Sequence, residues 1–193
     1  MKRFLLIVIV LSMSAFAQTD ESEPWVCPDG FAGQTLNVYN WATYIGDTTI
    51  ADFEALCDVT VNYDVYESNE ALIARLRQGN PGYDVVFPNE YAVSIMIRDD
   101  LLETIDIDNI PNFANIAERW VGFDFDPDNE YGVPYLWGTT GVAYNVNVVD
   151  EPITSWTQVF EFDGRVAWID DPRTLPSIAL LMLDNDPNSL DED

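Results

Sequence analysis

From residue 36 onward the spacing of apolar residues changes period again and again, and that change constrains the architecture more than any other feature. Leu36 to Tyr39 is short and extended, and Ile50, Phe53 and Cys57 then fall on one face of a helix over 48–57, capped by Asp47 or Thr48. Val59, Val61, Tyr63 and Val65 alternate with polar residues, which is the period of a half-buried strand. Ser68 is placed to cap a helix running to Gln78, and Gly79 to stop it. The continuous apolar run "YDVVFP" at 83–88 predicts a strand covered on both faces, followed by a helix through "EYAVSIMIRDD". Strand and helix in strict alternation, with short links, predict an α/β fold with a parallel sheet and helices on both faces.

Ligands of such sheets lie in the crevice beyond the carboxyl ends of the strands. Trp41, Thr43 and Tyr44 follow the first strand; Tyr66, Glu67 and Ser68 follow the second; Asn89, Glu90 and Tyr91 follow the third. One rim thus collects aromatic faces, hydroxyls, an amide and carboxylates. Helix capping accounts equally well for Ser68 and Glu67. Trp41, Tyr44 and Tyr91 together read as facing a hollow, because large rings are unusual in turns.

The remainder is less regular. Residues 101–133 carry at most a helical turn near 114–120, and "YGVPYLWGTTGVAYN" reads as two extended segments whose Gly138 and Gly141 suit a crossing between lobes. "SWTQVF" predicts a short helix and "RVAWID" a strand. Asp171 then caps a helix with Pro172 at its first position and Leu175, Ile178, Ala179 and Met182 on one face.

The opening, "MKRFLLIVIVLSMSAFAQ", has the basic start, short apolar run and A-x-A ending of an export signal cut after Ala17. Its apolar run is too short to span a bilayer, which needs about 20 residues, so the expected location is the periplasm. Residues 18–34 form an arm held at most by Cys27. An exported chain permits Cys27 and Cys57 to pair; the alternative is two free buried thiols. The sequence contains no histidine, which excludes Ser-His-Asp triads and the common zinc sites. A formal charge of -26 argues against nucleic acid as a partner and favours cations. An exported hydrolase would have only Asp170, Asp171 and Glu90 as its paired acids, and nothing in the sequence separates their pKa values.

Six stretches, "LNVYNWATYI", "YESNEALIARL", "GYDVVFPNEY", "VPYLWGTTGVAYN", "SWTQVF" and "DDPR", occur in the order and spacing of the periplasmic spermidine/putrescine-binding proteins, and the chain resembles them from Leu36 almost to its end. The resemblance implies a periplasmic-binding-protein-like fold of two α/β lobes closing by hinge motion, and a non-enzymatic, monomeric receptor without cofactor or metal. It implies a polyamine or related cationic small molecule as ligand and the inner-membrane permease of an ABC transporter as partner. Residues 35–136 would be the first lobe. Residues 137–193 would be the crossover and the start of a second, incomplete lobe, because members of that family are substantially longer.

Trp41 and Tyr44 match the family's aromatic wall, Tyr91 matches a tyrosine, Asn89 stands where relatives often carry Ser, and Asp171 matches a carboxylate that receives an amine. Asp171 serves as ligand contact, as cap, or as both. Thr43 and Thr174 depart from the pattern, standing where relatives place acids, and Glu90 or Glu67 is the replacement within reach. These losses keep open a second reading, a receptor for another amine or an amino-acid-like solute.

Overall fold

A computed structural model describes residues 25–79 and 81–187. The export signal expected over 1–17 lies outside the described residues, as does the start of the arm. Strands β1 (Thr35–Trp41), β2 (Thr60–Tyr66) and β3 (Val85–Val86) form a parallel sheet in the order β2-β1-β3. Helix α1 (Thr49–Cys57) links β1 to β2, α2 (Asn69–Arg77) carries the chain past β1 to β3, and α3 (Glu90–Arg98) follows. Because the chain winds outward from β1 in both directions, the loops after β1 and β3 diverge, and a crevice opens between them.

Parallel neighbours share a face, and the register sets Trp41 beside Tyr66 and Tyr39 beside Val86. That face is the core: Tyr39, Trp41, Tyr66 and Val86 pack with Leu72 and Ile73 of α2 and Ala92 and Met96 of α3. Ser68 caps α2 by accepting from the Ala71 N–H, and Gly79 takes the left-handed φ of 94° that ends it.

The third strand differs from its expectation. It is two residues long, and Val85 is 39% exposed instead of covered on both faces. The Asp84 carboxylate accepts the Asn37 N–H at 2.8 Å, taking a donor that a longer ladder would have used. Pro88, just beyond, has no N–H to offer. The α2 and α3 helices bury Val86 from one side; on the other side Val38 and Asn40 of the central strand are buried while Val85 and Val65, on the edge strands beside them, stay exposed.

Beyond α3 the chain makes 3-10 turns at Ile107–Asn109, Pro111–Asn115 and Glu118–Trp120. The buried Asp126 then gathers the N–H groups of Glu130, Tyr131 and Gly132 into a tight loop. Residues 133–145 form neither helix nor strand. The strand expected at 165–170 does not form: Val166, Trp168 and Ile169 are exposed, since no described neighbour offers them an edge to pair with. Helix α4 (Trp156–Phe160) has the full reciprocal cap of Ser155 and Gln158. Helix α5 (Thr174–Met182) starts two residues later than the proline suggested. Among the described residues no helix is long and apolar enough to cross a membrane.

The arm is held by more than one cysteine. Cys27 and Cys57 are joined, with Cα atoms 5.3 Å apart. Trp25 stacks on Phe53 at 6.1 Å, and the Gly33 N–H donates to the Asp58 carbonyl. A loop closed over 30 residues should gain about 3 to 4 kcal/mol from the bridge by restriction of the unfolded chain. Cys27→Ser with Cys57→Ser should therefore lower the urea midpoint substantially; equal midpoints in the two proteins would show that the other contacts hold the arm unaided.

Candidate functional site

The rim is organised by one carbonyl. Phe87 O, immediately after β3, accepts from Trp41 Nε1 at 2.9 Å and also from the Tyr66 hydroxyl. Trp41 and Tyr66 are the last register pair of β1 and β2, so one acceptor ties together the ends of all three strands. Trp41 is accordingly the final residue of β1, not a residue of the following turn, and its half-buried ring lies 4.6 Å from that of Tyr66. Tyr66 is 3% exposed, which removes it from the expected rim and places it in the core.

The turn after β1 is built on Asn40, whose side chain is fully buried. Its Oδ1 accepts the Trp41 N–H at 2.7 Å and its Nδ2 donates to the Tyr44 carbonyl at 3.4 Å. Tyr44 is thereby left 47% exposed with its ring 6.0 Å from Trp41, and Thr43 is exposed beside it. Tyr135, from the extended stretch, donates its hydroxyl to the same Tyr44 carbonyl at 2.8 Å and sets its ring edge-on to Phe87 at 4.9 Å. Trp41, Tyr44, Phe87 and Tyr135 thus make an aromatic corner at the crevice between β1 and β3.

A second corner forms around Tyr91. The Asn89 N–H donates to Oδ1 of Asn69, a residue 1% exposed, which fixes the start of α3 against the start of α2. Tyr91 donates its hydroxyl to Glu70 Oε1 at 3.0 Å, and the Arg173 guanidinium lies 4.7 Å above its ring. Asp171 Oδ1 accepts the N–H groups of Arg173 and Thr174 and, at 2.8 Å, the Thr174 hydroxyl. Asp171 therefore caps the chain entering α5 even though Arg173 is the residue that precedes the helix. Thr174 is tied to this cap. Glu90, in the first turn of α3, is exposed, and so is Glu67.

Burial pushes the Tyr91 hydroxyl up to about 12, helped by the negative charges of Glu70 and Asp171 and opposed by the nearby Asn69 amide. The Asn69 Nδ2 donor has no hydrogen-bond partner of ordinary geometry. Burial likewise raises Tyr66, with its tyrosine neighbours adding to the rise.

The structure brings Trp41 and Tyr44 together at one corner and Asn89, Tyr91, Asp171 and Thr174 at the other, with residues 87–89 between them. The rim is an open wall. One hollow, of about 520 Å³, lies away from the rim, toward the amino ends of the strands beside Asn37, Asn62 and Tyr83, and another, of about 260 Å³, borders the second corner between Arg173, Pro176, Leu180 and Pro187. Among the described residues no group of three or more His, Cys, Asp or Glu gathers to hold a metal. Asn40, Asn69, Glu70, Phe87, Tyr135 and Arg173 complete the rim, and none of them was among the expected ligand residues. Asn40 did carry a signal, since it shares the inward parity of Leu36 and Val38, and a polar residue there has to be satisfied from within.

Residues 48–193 match the family described as bacterial extracellular solute-binding protein. The chain belongs to that family, one of binding proteins and not of enzymes. It is 34% identical over 161 residues to the spermidine/putrescine-binding periplasmic protein of Escherichia coli (strain K12), covering 81% of this chain and 46% of the relative. To the putrescine-binding periplasmic protein SpuD of Pseudomonas aeruginosa (strain UCBPP-PA14) it is 31% identical over 208 residues, covering 98% of this chain and 54% of that one. The crystal structure of the TpPotD lipoprotein of Treponema pallidum is similar with a TM-score of 0.76 at 38% identity, over 82% of this chain and 50% of the other. The chain spans about half the length of the curated relatives it matches.

The raised tyrosines set an alkaline limit. An unperturbed tyrosine ionises near 10.0, so above that pH the unfolded chain releases protons that the folded chain keeps, and stability falls as pH rises toward 12. Urea midpoints should decline between about pH 10 and 12, less steeply in Tyr91→Phe and Tyr66→Phe than in the unaltered chain. An identical slope in all three proteins would contradict the assignment.

Proposed function

We propose that this chain supplies the ligand wall of an exported receptor that captures a polyamine or related cationic amine for an ABC importer. The observation that carries the reading is the paired Trp41 and Tyr44 rings at the carboxyl end of the central strand, where the sheet's crevice opens. A polyamine combines ammonium ends with apolar methylene spacers, and an aromatic face serves both, through cation–π attraction and through burial of the chain. The relatives named above are spermidine- or putrescine-binding proteins by description, which supports the same ligand class here. Acidic residues at the rim, Glu90, Glu67 and the unengaged oxygen of Asp171, are the groups for the ammonium ends, with Asn89 and Thr43 as neutral hydrogen-bonding positions.

In this reading residues 35–136 act as one lobe and 137–193 open a second, and closure of the two desolvates the ligand. The receptor works in the periplasm and passes its solute to an inner-membrane permease. A second reading, a receptor for an amino-acid-like solute, is favoured by one observation: a cation of the protein's own, Arg173, already stands over Tyr91.

Calorimetric titration with putrescine and spermidine should give saturable heat. Tyr44→Ala should weaken binding by about 1 kcal/mol, roughly five-fold, since an exposed cation–π contact is of that size and the hydrogen bond accepted by residue 44 is made by its backbone. Absence of any response to amines at millimolar concentration would refute the reading.

A further inference from the structure

We infer that Tyr135 is a positioning residue of the ligand wall: its hydroxyl fixes the turn that carries Tyr44, so the aromatic corner takes its shape from the chain that leads out of the first lobe. The inference rests on the receptor reading above and adds to it a residue that acts on the ligand through the Tyr44 ring.

The turn over residues 41–44 is held unequally at its two ends. At Trp41 the bonds are short: the backbone N–H donates to Asn40 Oδ1 at 2.7 Å and the indole N–H to the Phe87 carbonyl at 2.9 Å. At Tyr44 the turn's own bonds are long. The Tyr44 N–H reaches the Trp41 carbonyl at 3.4 Å, and Asn40 Nδ2 reaches the Tyr44 carbonyl at 3.4 Å as well. Both exceed the roughly 2.7 to 3.2 Å of an ordinary N–H···O bond, so neither fixes the far end of the turn closely. The short bond at that end comes from a distant part of the chain, since the Tyr135 hydroxyl donates to the Tyr44 carbonyl at 2.8 Å across 91 positions.

Tyr135 is itself equipped to keep its place. Just upstream, the buried Asp126 carboxylate holds the N–H groups of Glu130, Tyr131 and Gly132, and Pro134 restricts the backbone that follows. Its ring lies edge-on to Phe87 at 4.9 Å, and Phe87 is the residue whose carbonyl ties the strand ends together. The hydroxyl is therefore a donor presented from a fixed frame. Downstream, Leu136 and Trp137 are exposed, in a stretch with neither helix nor strand to hold it. Tyr135 is thus a point at which the crossover grips the wall, and a shift of the crossover carries the Tyr44 carbonyl and its ring along.

The test is a double-mutant cycle. Putrescine is titrated calorimetrically into the unaltered protein, Tyr135→Phe, Tyr44→Ala and the double variant, with urea midpoints confirming that each folds. Tyr135→Phe removes the donor but keeps the ring against Phe87, and Tyr44→Ala removes the ring but keeps the carbonyl that accepts. Tyr135→Phe should weaken putrescine by about two- to five-fold, within what one hydrogen bond contributes and no more than Tyr44→Ala does. In the Tyr44→Ala background it should have no further effect, because the two residues act as one unit. Without ligand, the Tyr44 carbonyl carbon signal should move upfield in Tyr135→Phe, as for an acceptor that has lost its donor. Losses that multiply in the double variant would overturn the inference, by showing that Tyr135 touches the ligand itself or only supports the fold. Unchanged affinity, or an unmoved Tyr44 signal, in Tyr135→Phe would overturn it too, while leaving the receptor reading intact. Silence of the unaltered protein toward putrescine and spermidine would overturn the receptor reading and this inference with it.

Discussion

The carbonyl of Phe87 is the point on which the rim depends. A strand of two residues has few ladder bonds with which to hold its neighbour, and this one is followed by a proline that donates none. Side-chain donors from the last residues of β1 and β2 take over that task. Leaving a part-buried acceptor unsatisfied costs about 1 to 3 kcal/mol, so the arrangement is favoured energetically as well as geometrically. It also fixes the orientation of the Trp41 indole. With its N–H edge turned to Phe87 and part of its surface against Tyr66, what remains of the ring belongs to the crevice. The structural contacts use one part of the side chain, and the ligand contact proposed above would use the other.

Much of the architecture was legible because it follows from period. The alternation of Val59, Val61, Tyr63 and Val65 and the Ser68 to Gly79 helix reappear within a residue or two, and the reciprocal cap of Ser155 and Gln158 forms where a short helix was expected. What could not be read is what depends on distant partners. "RVAWID" has the composition of a strand, but composition supplies no neighbouring edge, and the described chain provides none. "YDVVFP" reads as a strand buried on both faces, but Asp84 intercepts the Asn37 donor and Val85, at the sheet's edge, stays exposed although its neighbour Val38 is buried. Trp41 and Tyr66 each looked like rim residues, and only the register shows that Tyr66 is sealed beneath Trp41. The roles of Asn69 and Arg173 were illegible for the same reason, since each acts on residues 20 or more positions away.

Charge and fold together limit the chemistry. A chain with 34 acidic residues and no histidine has no ordinary base of intermediate pKa, and its strand ends carry rings and hydrogen-bonding groups instead of a nucleophile with a partner. That is the equipment of a binding surface, in keeping with the solute-binding family to which the chain belongs.

The most direct measurement is the indole region of a nitrogen–proton correlation spectrum, with the Trp41 signal assigned by its loss in Trp41→Phe. The sequence has six tryptophans, and Trp25 and Trp137 are exposed at 45% and 63%. If the Phe87 carbonyl holds the Trp41 indole, its proton will exchange with deuterium far more slowly than those of Trp25 and Trp137, and its signal will shift when an amine solute is added. Exchange as fast as the exposed indoles, with no shift on addition of amine, would contradict the account.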